Sequence, residues 1–546
     1  MMLVLAACGS GAVESPRPAG PLAVAESLYL ELRDVRDRMD VAASAARDTA
    51  SDGTPVSLLA TRHHELRRAV IERIAAVDST TLSAEDRRAL GTMRRALDRD
   101  LTPISGAGGP PQAAGRPPDC RYQAAEVARD SRGLDSLRAR MYVCYAWAQN
   151  HVAVGSDTLD RLSLYGELAR EADRGHRRRL FLALDPVWRS INGDNDAASP
   201  YRRLIALEAT RSRAVPAGTW EAGLAGIPPD SLEPWLIAIL DAWHAAAPDS
   251  MIDPWDWYYL AGRPARELGA RVPRERLRML NAAIYLALGA DLAALNVRYD
   301  LDPRAGKSPV AFCTFGARPR LVGSRWTPGE PSVFATYRGG GLDNLAELLH
   351  ETGHAVHIAA IRTRPAFTDW PDSDPFTEAV ADFVALDIAE PAWQRRWLGD
   401  SVPLADGLRA RYAGIVLDVA WSLFELRMLR EPSADPNQVW TRLTSRHLRI
   451  RPHPELSWWA MRGQLVDSPG YMMNYAVGAI LIAALRARTV ERHGPWLLGD
   501  RSWYPWVSRT LFRYGLERPT REVVEEFLGG PLTPAALLQD MGRMKH

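Results

Sequence analysis

His350-Glu351-Thr352-Gly353-His354 places two imidazoles four residues apart, with a carboxylate directly after the first. On a helix, positions i and i+4 share one face a turn apart, so both rings can reach a single Zn²⁺ at about 2 Å. Glu351 then stands beside the ion as general base for a metal-bound water. Hydrolytic zinc keeps three protein ligands and an open position. Glu378, 24 residues beyond His354 in Phe376-Thr377-Glu378-Ala379-Val380-Ala381-Asp382, is expected to be the third. A helix, a connecting loop and an antiparallel return would set it opposite the histidines. Asp382, one turn later on the same face, is expected to accept the other N–H of a liganding imidazole and fix its ring.

These residues need elements to hold them, and the pattern that supplies them is helical almost throughout. Apolar residues recur at spacings of three and four over Leu22 to Ala46, Ser57 to Val77, Ala84 to Leu101, Arg121 to Ala148, Asp157 to Ala183, Ser231 to Ala246 and Pro273 to Val297. Around residue 300 the character changes. Ser308 to Phe315 and Ser332 to Tyr337 read as short strands bounded by Pro and Gly, a small sheet beside the site. Helices resume at Asp343 to Ile361, with Leu345, Leu348 and Leu349 on its packing face, and follow at Pro375 to Ile388, Leu404 to Leu429 and Gly470 to Arg488.

The composition excludes several classes of function. A net charge of +1 in 546 residues gives no electrostatic reason to expect nucleic acid or an anionic membrane as partner. Four Cys rule out a disulfide scaffold, and 47% hydrophobic residues rule out a disordered chain. The longest apolar run, Ala476 to Leu485, is about half the roughly 18–20 residues a membrane helix needs. Leu5-Ala6-Ala7-Cys8 matches the end of a truncated lipoprotein signal, and Gly9 to Pro21 suits a flexible tether, so residues 1–20 are expected to anchor the chain in a bacterial cell envelope through lipid on Cys8. Residues 21–546 are then expected to form one domain, its zinc core at about 300–480. In an oxidising envelope Cys120 and Cys144 could pair, leaving Cys313. Only Lys307 and Lys545 are lysines, so 65 of the 67 basic residues are arginines.

The motifs resemble the gluzincin peptidases related to angiotensin-converting enzyme, thimet oligopeptidase and the oligoendopeptidases. His350 to His357 looks like the oligoendopeptidase form of the motif, and Pro375 to Asp382 the converting-enzyme form of the third-ligand segment. Lys307 to Cys313 resembles the oligoendopeptidase edge strand, whose backbone at Ala311, Phe312 and Cys313 would pair with substrate. The resemblance implies a mainly α, large two-lobed helical metallopeptidase with a small antiparallel β element beside a deep central cleft. It further implies one Zn²⁺ held by His350, His354 and Glu378, and oligopeptides as substrates.

Family members also use a downstream His and Tyr to stabilise the oxyanion. The matching segment runs from Trp458 to Ala476 and makes Tyr475 the first candidate and Tyr471 the second. No His lies between Trp458 and Tyr475, a departure from the family, and His453 is upstream. The converting enzymes anchor a substrate carboxylate with a lysine near this segment. Here there is none, which favours an oligopeptidase, with Arg462 as a substitute anchor. A dipeptidyl carboxypeptidase and a catalytically idle, zinc-containing peptide-binding lipoprotein are the alternatives. Gly306-Lys307-Ser308 lacks the upstream Gly of a phosphate loop, and His357 reads as packing rather than as a ligand.

Overall fold

The computed structural model describes residues 20–44, 49–50, 52–99, 117–120, 131–210, 218–247, 250–304, 307, 310–322, 325–364 and 367–545. Cys8, most of the Ser105 to Pro118 loop and the first ten residues of the helix expected from Arg121 lie outside them.

The fold is mainly helical with a small sheet, as the periodicity predicts. The largest departure is at Asp157 to Ala183, expected as one helix. Asp157–Leu159 instead pairs with Val152–Val154 as a hairpin, and two helices follow, Arg161–Arg170 and Arg174–Leu182. The reason is local: the side chains of Asp160 and Asp173 accept from the backbone N–H of Ser163 and His176, and each such cap starts a new helix. The helix expected over Pro273 to Val297 ends at Ala287, because Gly289 turns the chain at φ +84°.

Three strands form the sheet beside the site. Glu330–Phe334 is central, Arg298–Asp300 runs parallel to it on one side, and Phe312–Ala317 antiparallel on the other, with Cys313 opposite Val333. Phe312 and Cys313 therefore lie on an edge strand, as expected of a substrate strand, while Ala311 precedes its first residue. Phe315, two residues on and so on the same face as Cys313, is fully buried against Ile358 of the motif helix and Ile361 just past its end. Lys307 is structural: its ammonium reaches Asp300 at 3.0 Å and donates to the carbonyls of Asp300 at 2.8 Å and Asp302 at 3.1 Å.

One hydrophobic core runs from Leu134 to Met544, and a separate cluster holds the N-terminal helices Pro21–Ser44, Val56–Ala75 and Ala84–Arg99 together. Arginines join this layer to the rest. The buried Arg318 pairs with Asp37 at 2.8 Å and Asp369 at 3.0 Å, and Arg364 with Glu26 and Asp86, each at 2.7 Å. A planar guanidinium with five donors can serve several carboxylates at once, which an ammonium does less well.

Candidate metal centre

The motif occupies the helix Leu342–Ala360, whose Leu345, Leu348 and Leu349 are fully buried in the main core as the spacing requires. Its backbone and Thr352 are held from three directions. Tyr285 donates to the Leu349 carbonyl at 2.6 Å and Tyr504 to that of Val356 at 3.0 Å. The Thr352 hydroxyl meets both Asn281 and Tyr299 at 3.0 Å. Glu378 comes from the next helix, Asp374–Ala385, which Ser373 caps and Pro375 starts.

Gly353 makes the approach of these two helices possible. A Cβ at 353 would lie 2.2 Å from the Ala381 carbonyl oxygen, so only glycine lets the Glu378 helix come this close. The result is a compact donor set: the coordinating atoms of His350, His354 and Glu378 all lie within 4.8 Å of one another. Glu378 Oε2 is 3.3 Å from His350 Nε2, and Glu378 Oε1 is 3.8 Å from His354 Nε2. Two donors each about 2.0–2.1 Å from one tetrahedral ion lie about 3.3 Å apart, so the arrangement fits zinc. Among the described residues this is the one group found with such geometry.

The surroundings suit the same ion. His350 Nδ1 meets Asp382 Oδ1 at 2.7 Å, which leaves Nε2 facing Glu378. Burial opposes charge on His350, but the Asp382 carboxylate outweighs it and raises the imidazole well above its usual range. His354 is pushed down to about 4 by burial and stays neutral. Desolvation works against the Glu378 carboxylate, yet the His350 hydrogen bond and the two imidazoles hold it at about 2. Glu351 is buried, and its Oε2 finds no hydrogen-bond partner among the described residues. Burial pushes it up to about 8 against the pull of His350, and the charge of Glu378 adds to the rise. A buried carboxylate oxygen left unpartnered beside a His₂Glu set is placed where a metal-bound water would meet an acceptor.

His357 is packing: its ring lies among Trp370, Phe376 and Phe512, and burial lowers it to about 3. His453 takes no part, since it is tied to Glu455 at 2.7 Å and Asp253 at 3.2 Å.

The helix expected from Gly470 begins at Met473, so Tyr471 lies in the turn before it and Tyr475 in its first turn. The two rings meet edge to face at 5.9 Å. Glu425, buried in the helix Leu404–Arg430, accepts from Met472 N–H at 3.1 Å, and Ser422 donates to Met472 O at 2.7 Å, which pins the turn. Burial pushes Tyr475 up to about 12, with the carboxylates of Asp418 and Glu378 contributing against the pull of Arg462. Its hydroxyl oxygen accepts from Gln464 Nε2 at 3.0 Å. Gln464 belongs to no motif in the sequence; a polar side chain between Trp458 and Tyr475 is the one signal it offers. Arg462, the expected anchor, is paired with Asp418 and lies over the Trp421 ring at 4.7 Å.

Cys120 and Cys144 form a disulfide with Cα atoms 5.8 Å apart, and Cys313 is free. No helix among the described residues is long and apolar enough to cross a membrane.

No protein-family model and no curated protein sequence matches the chain. Solved structures do. Trypanosoma cruzi metallocarboxypeptidase 1 superposes with a TM-score of 0.54 at 13% identity, covering 96% of this chain and 99% of its own. Pyrococcus furiosus carboxypeptidase gives 0.54 at 14%, covering 97% and 99%. The M32 carboxypeptidase of Deinococcus radiodurans R1 gives 0.55 at 16%, covering 96% and 100%. At such identities the likeness is one of fold, and it extends along nearly the whole chain.

Proposed function

We propose that this protein is a zinc-dependent metallopeptidase that hydrolyses short oligopeptides, with one ion held by His350, His354 and Glu378. The observation behind the proposal is the joint geometry of those three donors and the unpartnered carboxylate of Glu351 beside them. The fold likeness to three metallopeptidases agrees with it.

Zinc in this site would supply a Lewis acid for the scissile carbonyl and for a water. The protein's own groups do the rest. Asp382 holds the His350 ring with Nε2 toward the ion site. Glu351, whose proton affinity burial has brought near neutrality, takes a proton from the water and delivers it to the departing amine. A dication beside it favours the ionised form, so the base is ready at neutral pH. Tyr475 stays neutral, and because Gln464 donates to its oxygen, its own proton is free to be given to the developing oxyanion. Tyr471 lines the same wall. The edge strand at Phe312 and Cys313 offers backbone for an extended peptide, with Ala311 at its entry.

Two modes of cleavage are compatible with this chemistry. The neighbours are named carboxypeptidases, which favours removal from the C-terminus; internal cleavage by an oligopeptidase is the alternative. An idle zinc-containing binding protein is disfavoured, because a structural site has no use for Glu351. For location we propose the bacterial cell envelope, supported by Leu5-Ala6-Ala7-Cys8 and by the Cys120–Cys144 disulfide, since such bonds persist in oxidising compartments. Digestion of a defined peptide mixture before chelation, after it, and after zinc is restored tests the activity. Hydrolysis that disappears and returns supports the proposal, and hydrolysis indifferent to chelator refutes it.

A further inference from the structure

Arg161 opens the helix Arg161–Arg170 and lies half-buried among tyrosines. Its guanidinium donates to Tyr165 Oη at 3.1 Å and Gln149 Oε1 at 3.4 Å and stands 5.2 Å from the Tyr165 ring centre. No carboxylate pairs with it among the described residues. The neighbouring Asp160 is committed to Ser163, to its N–H at 2.9 Å and its hydroxyl at 2.6 Å.

A chain of contacts links the surroundings of Arg161 to Tyr475. Tyr165 stacks on Tyr258 at 4.7 Å and its hydroxyl meets Met461 Sδ at 3.1 Å, while Tyr145 donates to the Met461 carbonyl at 2.9 Å. The next residue, Arg462, faces the Tyr475 ring at 5.6 Å, and Gln464 bonds the Tyr475 hydroxyl. Arg462 has its counter-ion in Asp418, and burial keeps Tyr145, Tyr258 and Tyr475 in their neutral form. This cluster therefore holds one positive charge that no carboxylate among the described residues answers. A half-buried guanidinium is costly to leave unpaired, and its planar fork matches a carboxylate with two parallel hydrogen bonds.

We propose that Arg161 anchors the α-carboxylate of the peptide substrate, and that the enzyme therefore works from the C-terminus. The inference builds on the peptidase reading and extends it: the cation comes from a helix some 300 residues before Arg462 in the chain, with no motif around it. It also reverses the preference for internal cleavage that the shortage of lysine suggests.

The test separates binding from turnover. Zinc-loaded Glu351→Gln protein is titrated calorimetrically with one short peptide as the free acid and as the C-terminal amide. The free acid is expected to bind about 10- to 100-fold more tightly, the range of a partly desolvated charge-assisted pair. Adding Arg161→Gln should erase the preference and leave amide binding unchanged. Arg161→Lys, which keeps the charge without the fork, should retain part of it and guards against a folding defect in the glutamine variant, with melting curves run on both. Equal affinity for acid and amide in the parent, or a preference that survives Arg161→Gln in folded protein, would overturn the assignment. Failure of the peptidase reading would show separately, as absence of zinc-dependent hydrolysis by the wild type while the acid preference persists.

Discussion

Replacing Gly353 by alanine should loosen the metal centre without touching a ligand. The new Cβ would lie 2.2 Å from the Ala381 carbonyl oxygen and 2.8 Å from both its carbonyl carbon and Cα. Relief to an ordinary separation of about 3.3 Å requires roughly 1 Å of movement, and because the obstacle is backbone, no rotamer change can supply it. The helix that must retreat includes Glu378 three residues before the contact and Asp382 directly after it. Zinc–ligand distances tolerate only about 0.2 Å, so the shift should remove Glu378 from effective reach of the histidines. The expected result is zinc affinity lowered at least about 100-fold and the apo fold destabilised by about 1–3 kcal/mol. Chelator competition for zinc and thermal melting measure the two. Gly414→Ala is the control, since that helical glycine has nothing within 4 Å of an added Cβ; it should raise stability by up to about 1 kcal/mol. A Gly353→Ala protein that binds zinc and melts like wild type would refute the packing argument.

Other perturbations act on the groups around the ligands. Asp382→Ala deprives His350 Nδ1 of its partner and should weaken zinc by about 10- to 100-fold in chelator competition, with little change in melting of the apo protein. Tyr475→Phe should lower kcat about 100- to 1000-fold at nearly constant KM if its hydroxyl serves the oxyanion, and Gln464→Ala should lower it less, since Gln464 acts through that hydroxyl. Glu425 should make stability pH-dependent. Burial raises it to about 8 in the folded protein against an ordinary 4.5, so the folded state holds a proton that the unfolded state releases. Its contribution is whole below pH 4.5 and is lost as pH rises toward 8, by up to a few kcal/mol. Glu425→Gln should therefore flatten the melting temperature between pH 5.5 and 8.5 and exceed wild type at the upper end.

The candidate donor set of His350, His354 and Glu378 was legible in the sequence because a helix turns i and i+4 to one face, and because a second amphipathic helix placed Glu378 and Asp382 one turn apart. The same periodicity located most of the long helices but not shorter ones such as Pro200–Ala209 and Pro436–Leu448. It could not see where the helices stop within Asp157 to Ala183, because Asp160 and Asp173 cap through side chains while the apolar spacing runs on past them. Gly353 reads as an unremarkable member of the motif until its neighbour, Ala381, is placed against it. Arg161 was invisible for a related reason. Arg is common in this chain, and only tertiary structure distinguishes one with no carboxylate partner among the described residues from Arg318 or Arg462, which have theirs. Arg462 shows the converse: its position before the tyrosines suggested an anchor, and Asp418 takes that charge out of use.

The most direct test of the account is Glu351→Gln, assayed for bound zinc, melting temperature and peptide hydrolysis together. One zinc per chain and an unchanged or higher melting temperature are expected, because a buried carboxyl is replaced by a neutral amide. Hydrolysis should fall by about 100- to 10,000-fold, the span of a positioned general base. Full activity in protein that still holds its zinc would contradict the account.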